Sequence, residues 1–290
     1  MASTSNWTRR RVIWSSIGAI AASPVLAMAA DRYPLWRLSS GRASIFLFGD
    51  CGSAANPWRS ARVLRAFNAA AVFWKETPQI GAADAQLFLA RGVDPGRPLS
   101  SWLTTDQRQR VAAAMALVGG AYADIEHYEP WLAAADLGRR DAARQPATSD
   151  PLAVLSSAAE AAHKPTRLEF PSAEALADYF ASFSDRAQIE YLLNAVDIAE
   201  AGPAAWALRQ AAWGRGDLSL ETRQVLREKA TYPEGYEAGT AARNRRWPGR
   251  FRTMLDAGGD AFVLVGADHL VGPEGVLAAS EEAGIEVRRI

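Results

Sequence analysis

Cysteine and histidine are scarce in this chain, with one cysteine and three histidines among 290 residues. The single Cys51 excludes an internal disulfide, so the fold must stand on its hydrophobic core. There is no H-E-x-x-H, no C-x-x-C, no Walker glycine–lysine loop and no G-x-G-x-x-G. Those absences remove the common zinc-protease, redox, nucleotide and dinucleotide devices. Net charge is lacking too: 32 basic residues balance 32 acidic ones, so bulk charge gives no reason to expect nucleic-acid binding. No repeat of 20–50 residues appears. What is present is apolar material, 49% hydrophobic against 22% charged, ordinary for a soluble globular protein and enough for one large domain or two modest ones.

The amino terminus reads as an export signal. Thr8-Arg9-Arg10-Arg11 precedes an uncharged apolar stretch from Val12 to Met28, and Ala27-Met28-Ala29 supplies a small-x-small cleavage site. Thr8 to Ile13 loosely resembles a twin-arginine signal. The expectation is a signal peptide over residues 1–29, a domain over 30–290, and a periplasmic or secreted protein. Its only membrane attachment would be an uncleaved signal, and that stretch contains Pro24 and is barely long enough to span. Cleavage would remove three arginines and no acid, leaving the remainder slightly acidic.

Strand patterns gather at the two ends of the remaining chain. Leu35–Leu38 and Ser44–Phe48 flank Ser39-Ser40-Gly41-Arg42 as a hairpin. Ala71–Glu76, Arg167–Phe170, Ala261–Val265 and Ile285–Arg289 complete the set. Between them the sequence is alanine-rich with helical periodicity. That period covers 105–118, 125–144, 151–163, 173–180, 185–201, 204–213, 219–229 and 234–255, with Ser172 and Ser184 at cap positions and Gly202-Pro203 as a break. The predicted class is α/β: a mixed, largely parallel central sheet from both chain ends, built of two similar strand–turn–helix–strand halves. A large helical insertion occupies about 82–256.

Chemistry is nominated first by Val265-Gly266-Ala267-Asp268-His269, a buried strand ending in a glycine turn with a histidine just beyond it. Open α/β sheets place ligands at the carboxyl ends of their strands. Phe48-Gly49-Asp50-Cys51-Gly52 is the matching turn of the first half. A thiolate there could be activated by a helix terminus and an imidazole, although a small buried cysteine is the commoner fate. His127 and His163 lie in helical surroundings and nominate nothing.

These paired turns resemble those of the TraB/GumN family, relatives of the Tiki proteases and of the erythromycin-esterase/ChaN-like group. The family carries a G-x-x-H after an early strand and a second one, usually within VGAGHL, after a late strand. Pro34-Leu35-Trp36, Leu168-Glu169, Trp213 to Asp217, Arg243-Asn244-Arg245-Arg246-Trp247 and Phe262 to Gly275 resemble further family segments in order and spacing. Two departures stand out. Gly52 occupies the position of the first histidine, and Asp268 replaces a glycine.

The resemblance implies a metal-dependent, peptidase-like hydrolase whose divalent metal (Mn, Co or Zn) activates water. His269, Glu76, Glu169, Asp268 and Asp50 are the implied ligands. The implied catalytic set is His269, Glu76 and Glu169, with Arg243 orienting a substrate carboxylate. A carboxylate-dominated set suits Mg²⁺, Mn²⁺ or Ca²⁺ better than Zn²⁺. The alternative is a catalytically degenerate member that binds a ligand such as haem, or a protein partner. The expected ligand is a peptide or small molecule, with no nucleic acid.

Overall fold

The computed structural model describes residues 31–290 apart from 42, 53–57, 79 and 146–148. The expected signal peptide over residues 1–29 therefore lies outside the described residues. Six strands appear where the sequence places them: β1 Leu35–Ser40, β2 Ala43–Asp50, β3 Val72–Lys75, β4 Thr166–Leu168, β5 Ala261–Gly266 and β6 Glu286–Arg289. They form one sheet in the order β4-β3-β5-β2-β1-β6. β2, β5, β3 and β4 pair in parallel, while β1 runs antiparallel to both β2 and β6. The sheet is mixed, and both halves cross over to a parallel strand. The central strand β5 is covered on both faces, and its run Ala261-Phe262-Val263-Leu264-Val265 is fully buried, as such a position demands.

Helices α1 (Ala61–Ala69), α2 (Ala82–Gly92), α3 (Thr105–Leu117), α4 (Pro130–Ala143), α5 (Pro151–Ala161), α6 (Ala173–Ala181), α7 (Asp185–Gly214) and α8 (Ser219–Thr231) follow along the chain. On one sheet face Phe48, Phe73 and Phe262 pack with Phe67 of α1, Leu155 of α5 and Trp213 of α7. The rings of Phe67 and Phe262 meet edge to face, centroids 5.4 Å apart. On the other face Leu47, Val263 and Val265 pack with Trp247, Phe251 and Leu255. A separate core of Val111, Met115, Leu137, Leu192 and Val196 holds α3, α4 and α7 together away from the sheet. Among the described residues no helix is long and apolar enough to cross a membrane.

Caps and breaks act as the local chemistry dictates. The side chains of Ser172 and Ser184 accept from the Ala175 and Ala187 amides at the starts of α6 and α7. Gly202 bends α7 with a φ of +72°, and Pro203 restarts it.

Three predicted helices differ from the observed ones. The one expected from 125 begins only at Pro130, because Pro at the first helical position fixes the entry of α4. The one expected over 234–255 divides into α9 (Pro233–Tyr236), a π-helical turn at Glu237–Ala241, α10 (Ala242–Asn244) and α11 (Trp247–Asp256). The second half of the sheet likewise carries two short helices, α12 (Ala267–Leu270) and α13 (Val276–Glu282), where one longer helix was expected.

Candidate functional site at the carboxyl rim of the sheet

Parallel pairing aligns the strand ends. Lys75 is in register with Leu168, so Glu76 and Glu169 leave adjacent strands at one level. Asp50 is in register with Gly266, which sets the two glycine turns side by side although they are far apart in sequence. A Cβ at Gly49 would collide with Leu270, so glycine is needed there for the turns to touch. Across the rim the order is Glu169, Glu76, the Gly266–His269 turn and Asp50.

The π-helical turn matters next, because inserting a residue re-phases the following turn. Just beyond it Arg243 and Asn244 are both buried and reach the rim. The Arg243 guanidinium donates to both oxygens of buried Glu169, from Nε at 3.2 Å and from Nη2 at 2.6 Å. Its Nη2 also lies 3.5 Å from Glu76 Oε2, and its Nη1 is 3.0 Å from His269 Nε2. Burial works against this cation, but Glu76 and Glu169 outweigh it and hold Arg243 above its ordinary value.

A guanidinium can only donate, so His269 Nε2 must accept. The imidazole proton then sits on Nδ1 and donates to Asn244 Oδ1 at 2.7 Å. His269 is thus fixed as one neutral tautomer, with both nitrogens engaged. Glu76 Oε1, 3.7 Å from His269 Nε2, accepts the Gly266 amide at 2.9 Å. Four of the expected residues, His269, Glu76, Glu169 and Arg243, therefore form one network, and the guanidinium occupies its centre.

Asp268 and Asp50 stand beside that network. Burial raises the Asp268 carboxyl, while the Arg209 and Arg243 guanidinium groups and its own backbone amide draw it below the usual range. Asp50 is pushed up to about 7 by burial, then by the charges of Asp150 and Glu76, against a 2.9 Å bond from the Gly52 amide. Among the described residues no group of three His, Cys, Asp or Glu side chains is arranged to hold a metal ion.

Cys51 belongs to different company. Its thiol donates to Glu221 Oε1 at 3.0 Å, and Arg209 binds both oxygens of that carboxylate at 2.9 and 2.8 Å. Burial and the Glu221 charge push the thiol well above its ordinary value, so it remains protonated. The His269 nitrogens face Arg243 and Asn244, which separates the cysteine from the imidazole.

Helices α7 and α8 roof the rim and bring residues that sequence reasoning passed over. Gln210 donates to the Cys51 carbonyl at 2.5 Å, and the Trp213 indole donates to the Gly49 carbonyl at 2.7 Å. Glu228 of α8 faces Asp268. Burial and that neighbouring charge raise its carboxyl to about 7, against a hydrogen bond with Asn194. Glu228 sits between Arg227 and Lys229, so locally it reads as part of a solvated helix face, and no sequence signal marks it.

A family model described as the TraB/PrgY/gumN family matches residues 34–289. Neither the curated proteins nor the solved structures gave a match.

Proposed function

The chain belongs to the TraB/PrgY/gumN family, and from that premise we propose that it is an exported protein whose rim site binds its ligand without a resident metal. One observation carries this reading: His269 Nε2 accepts from Arg243, whose other donors are held by Glu169. A metal at His269 needs the Nε2 lone pair and a deprotonated neighbour such as Glu169. Both are committed to the guanidinium. The residues as arranged do not fit a divalent ion, and the same engagement of both ring nitrogens speaks against axial ligation of haem. Arg243 supplies the positive charge that a metal would bring.

The ligand class follows from the groups that remain. Asp268 is ionised, and Glu76, Asp50 and Glu228 stand around it. An acid-lined mouth favours a cationic group, such as a peptide amino end or a small amine. Arg243 is fully paired, so it positions Glu169 and His269, and the carboxylates do the recognising.

Hydrolysis remains a second reading because of one specific observation. Two facing carboxyls, Asp268 and Glu228, are pushed in opposite directions, which is the pattern of an acid–base pair.

Metal retention tests the first reading. After dialysis against Mn²⁺, Co²⁺ or Zn²⁺, wild type and His269→Ala should both hold well under about 0.1 ion per chain. Stoichiometric metal in the wild type, lost in His269→Ala, would restore the metal-dependent hydrolase. Amino-terminal sequencing of the secreted or periplasmic protein checks export; a start near residue 30 supports it, and an intact Met1 in the cytoplasm refutes it.

A further inference from the structure

At the opposite end of the strands a second cleft opens, with a volume of about 430 Å³. That is within the range of small-molecule sites. Its floor is Val72 and Trp74 of β3, both half-buried against the core beneath α11. One wall is a single stripe of α11 and the turn after it, Arg250, Thr253, Met254 and Ala257, at helical spacing. The other wall is the edge strand β4, where Arg167 lies in register with Trp74 and so shares its face. The cleft exists because β4 is three residues long and α11 ends at Asp256, leaving the indole half-covered.

The charges of this cleft are lopsided. Among the described residues neither Arg167 nor Arg250 has a carboxylate within salt-bridge reach. Arg250 lies 3.5 Å from the Glu169 carbonyl and over the Trp247 ring at 5.5 Å. Asp260, the one acid on the lining, already accepts the Ser44 amide at 2.9 Å. Two guanidinium groups thus flank an indole and a methionine, with one positive charge in excess. Such a pairing recognises a planar apolar body that carries an anionic head, since guanidinium forks suit carboxylate and phosphate while the indole stacks on the ring.

We infer that this cleft is a binding site for a small aromatic or flat aliphatic anion, separate from the acidic rim. The two ends of the sheet then accept ligands of opposite charge.

The probe is 2-naphthoate, compared with its neutral isostere 2-naphthamide, titrated into the full chain and followed by the indole N–H resonances. The Trp74 signal is assigned with Trp74→Phe. Naphthoate should shift the Trp74 resonance, and the amide should bind about tenfold more weakly or worse. Arg167→Gln combined with Arg250→Gln should weaken naphthoate by a similar factor. Arg167→Gln alone, at an exposed position that leaves the fold undisturbed, should show a partial loss. Raising salt should weaken naphthoate and leave the amide unchanged. Equal binding of acid and amide, or full affinity in the double variant, overturns the inference. So does a loss of binding in Asp268→Asn, which would place the probe at the rim.

Discussion

The two glycine turns sit side by side on neighbouring parallel strands, and each is served by its own arginine–glutamate pair. At Gly49–Gly52 the pair is Arg209–Glu221, whose carboxylate accepts from the Cys51 thiol. Trp213 and Gln210 cap the carbonyls of Gly49 and Cys51. At Gly266–His269 the pair is Arg243–Glu169, which engages an imidazole, a second glutamate and, beside them, an ionised aspartate. Equivalent positions in a twofold-like arrangement have been put to different uses. The first turn is closed over its backbone by Trp213 and Gln210. The second holds an imidazole, two glutamates and an arginine in one network.

Removing the arginines one at a time should break this comparison most forcefully. Arg243→Ala leaves Glu169 charged, buried and alone, and should cost about 3–5 kcal/mol in urea unfolding. Arg209→Ala should cost less, because the Arg209 side chain is 25% exposed against 10% for Arg243. Equal losses would mean that the two pairs are interchangeable supports. Next in size, Trp213→Phe keeps the ring packing but orphans the Gly49 carbonyl, for a loss of about 1–3 kcal/mol. No loss would show that the first turn does not depend on its roof.

The second turn should reveal itself through pH. Glu228 is raised, so the folded state holds a proton that the unfolded chain releases near pH 4, and stability should fall between about pH 4 and 7 and then level off. Glu228→Gln should reduce that decline, leaving the part that the raised Asp50 carboxyl contributes, and gain on the order of 1 kcal/mol at pH 8, read from denaturation midpoints across pH. Asp268 acts in the opposite sense. Its lowered carboxyl contributes stability that is present above the unfolded value and lost as pH falls through the folded one. A flat profile in the wild type would contradict the facing pair. The smallest effect is expected at Cys51→Ala, within about 1 kcal/mol. The wild-type thiol should resist alkylation at pH 8 until the chain is unfolded. Rapid labelling of the native protein would return Cys51 to the list of reactive groups.

Much of this architecture was legible because strands announce themselves by composition. All six strands fall where the sequence pattern places them, although β4 and β6 are short and mostly polar, and Ala261–Val265 reads as a strand buried on both faces because it contains no polar residue. The break at Gly202-Pro203 and the caps at Ser172 and Ser184 were equally plain, since each rests on a local backbone requirement. The subdivision of 234–255 was not. A π-helical turn leaves the apolar period almost unchanged and is set by where Arg243 must reach. At the site, turn position and resemblance together singled out His269, Glu76, Glu169 and Arg243, yet neither could say that the arginine sits among the other three. Asn244, which the sequence places only within a family-like segment, engages Nδ1 of His269. Glu228, Arg209 and Glu221 left no trace, because their meaning comes from a helical roof that meets the rim only in three dimensions.

The strand at the middle of the sheet is supplied by the last thirty residues of the chain. β2 and β3 cannot pair with each other in this order, so both must wait with open edges while the whole helical insertion is made. Contacts of such long sequence separation form slowly, and unpaired edges invite association in the meantime. A nascent chain therefore has no finished centre, and its assembly ends with a wedge driven between two strands that were there from the start.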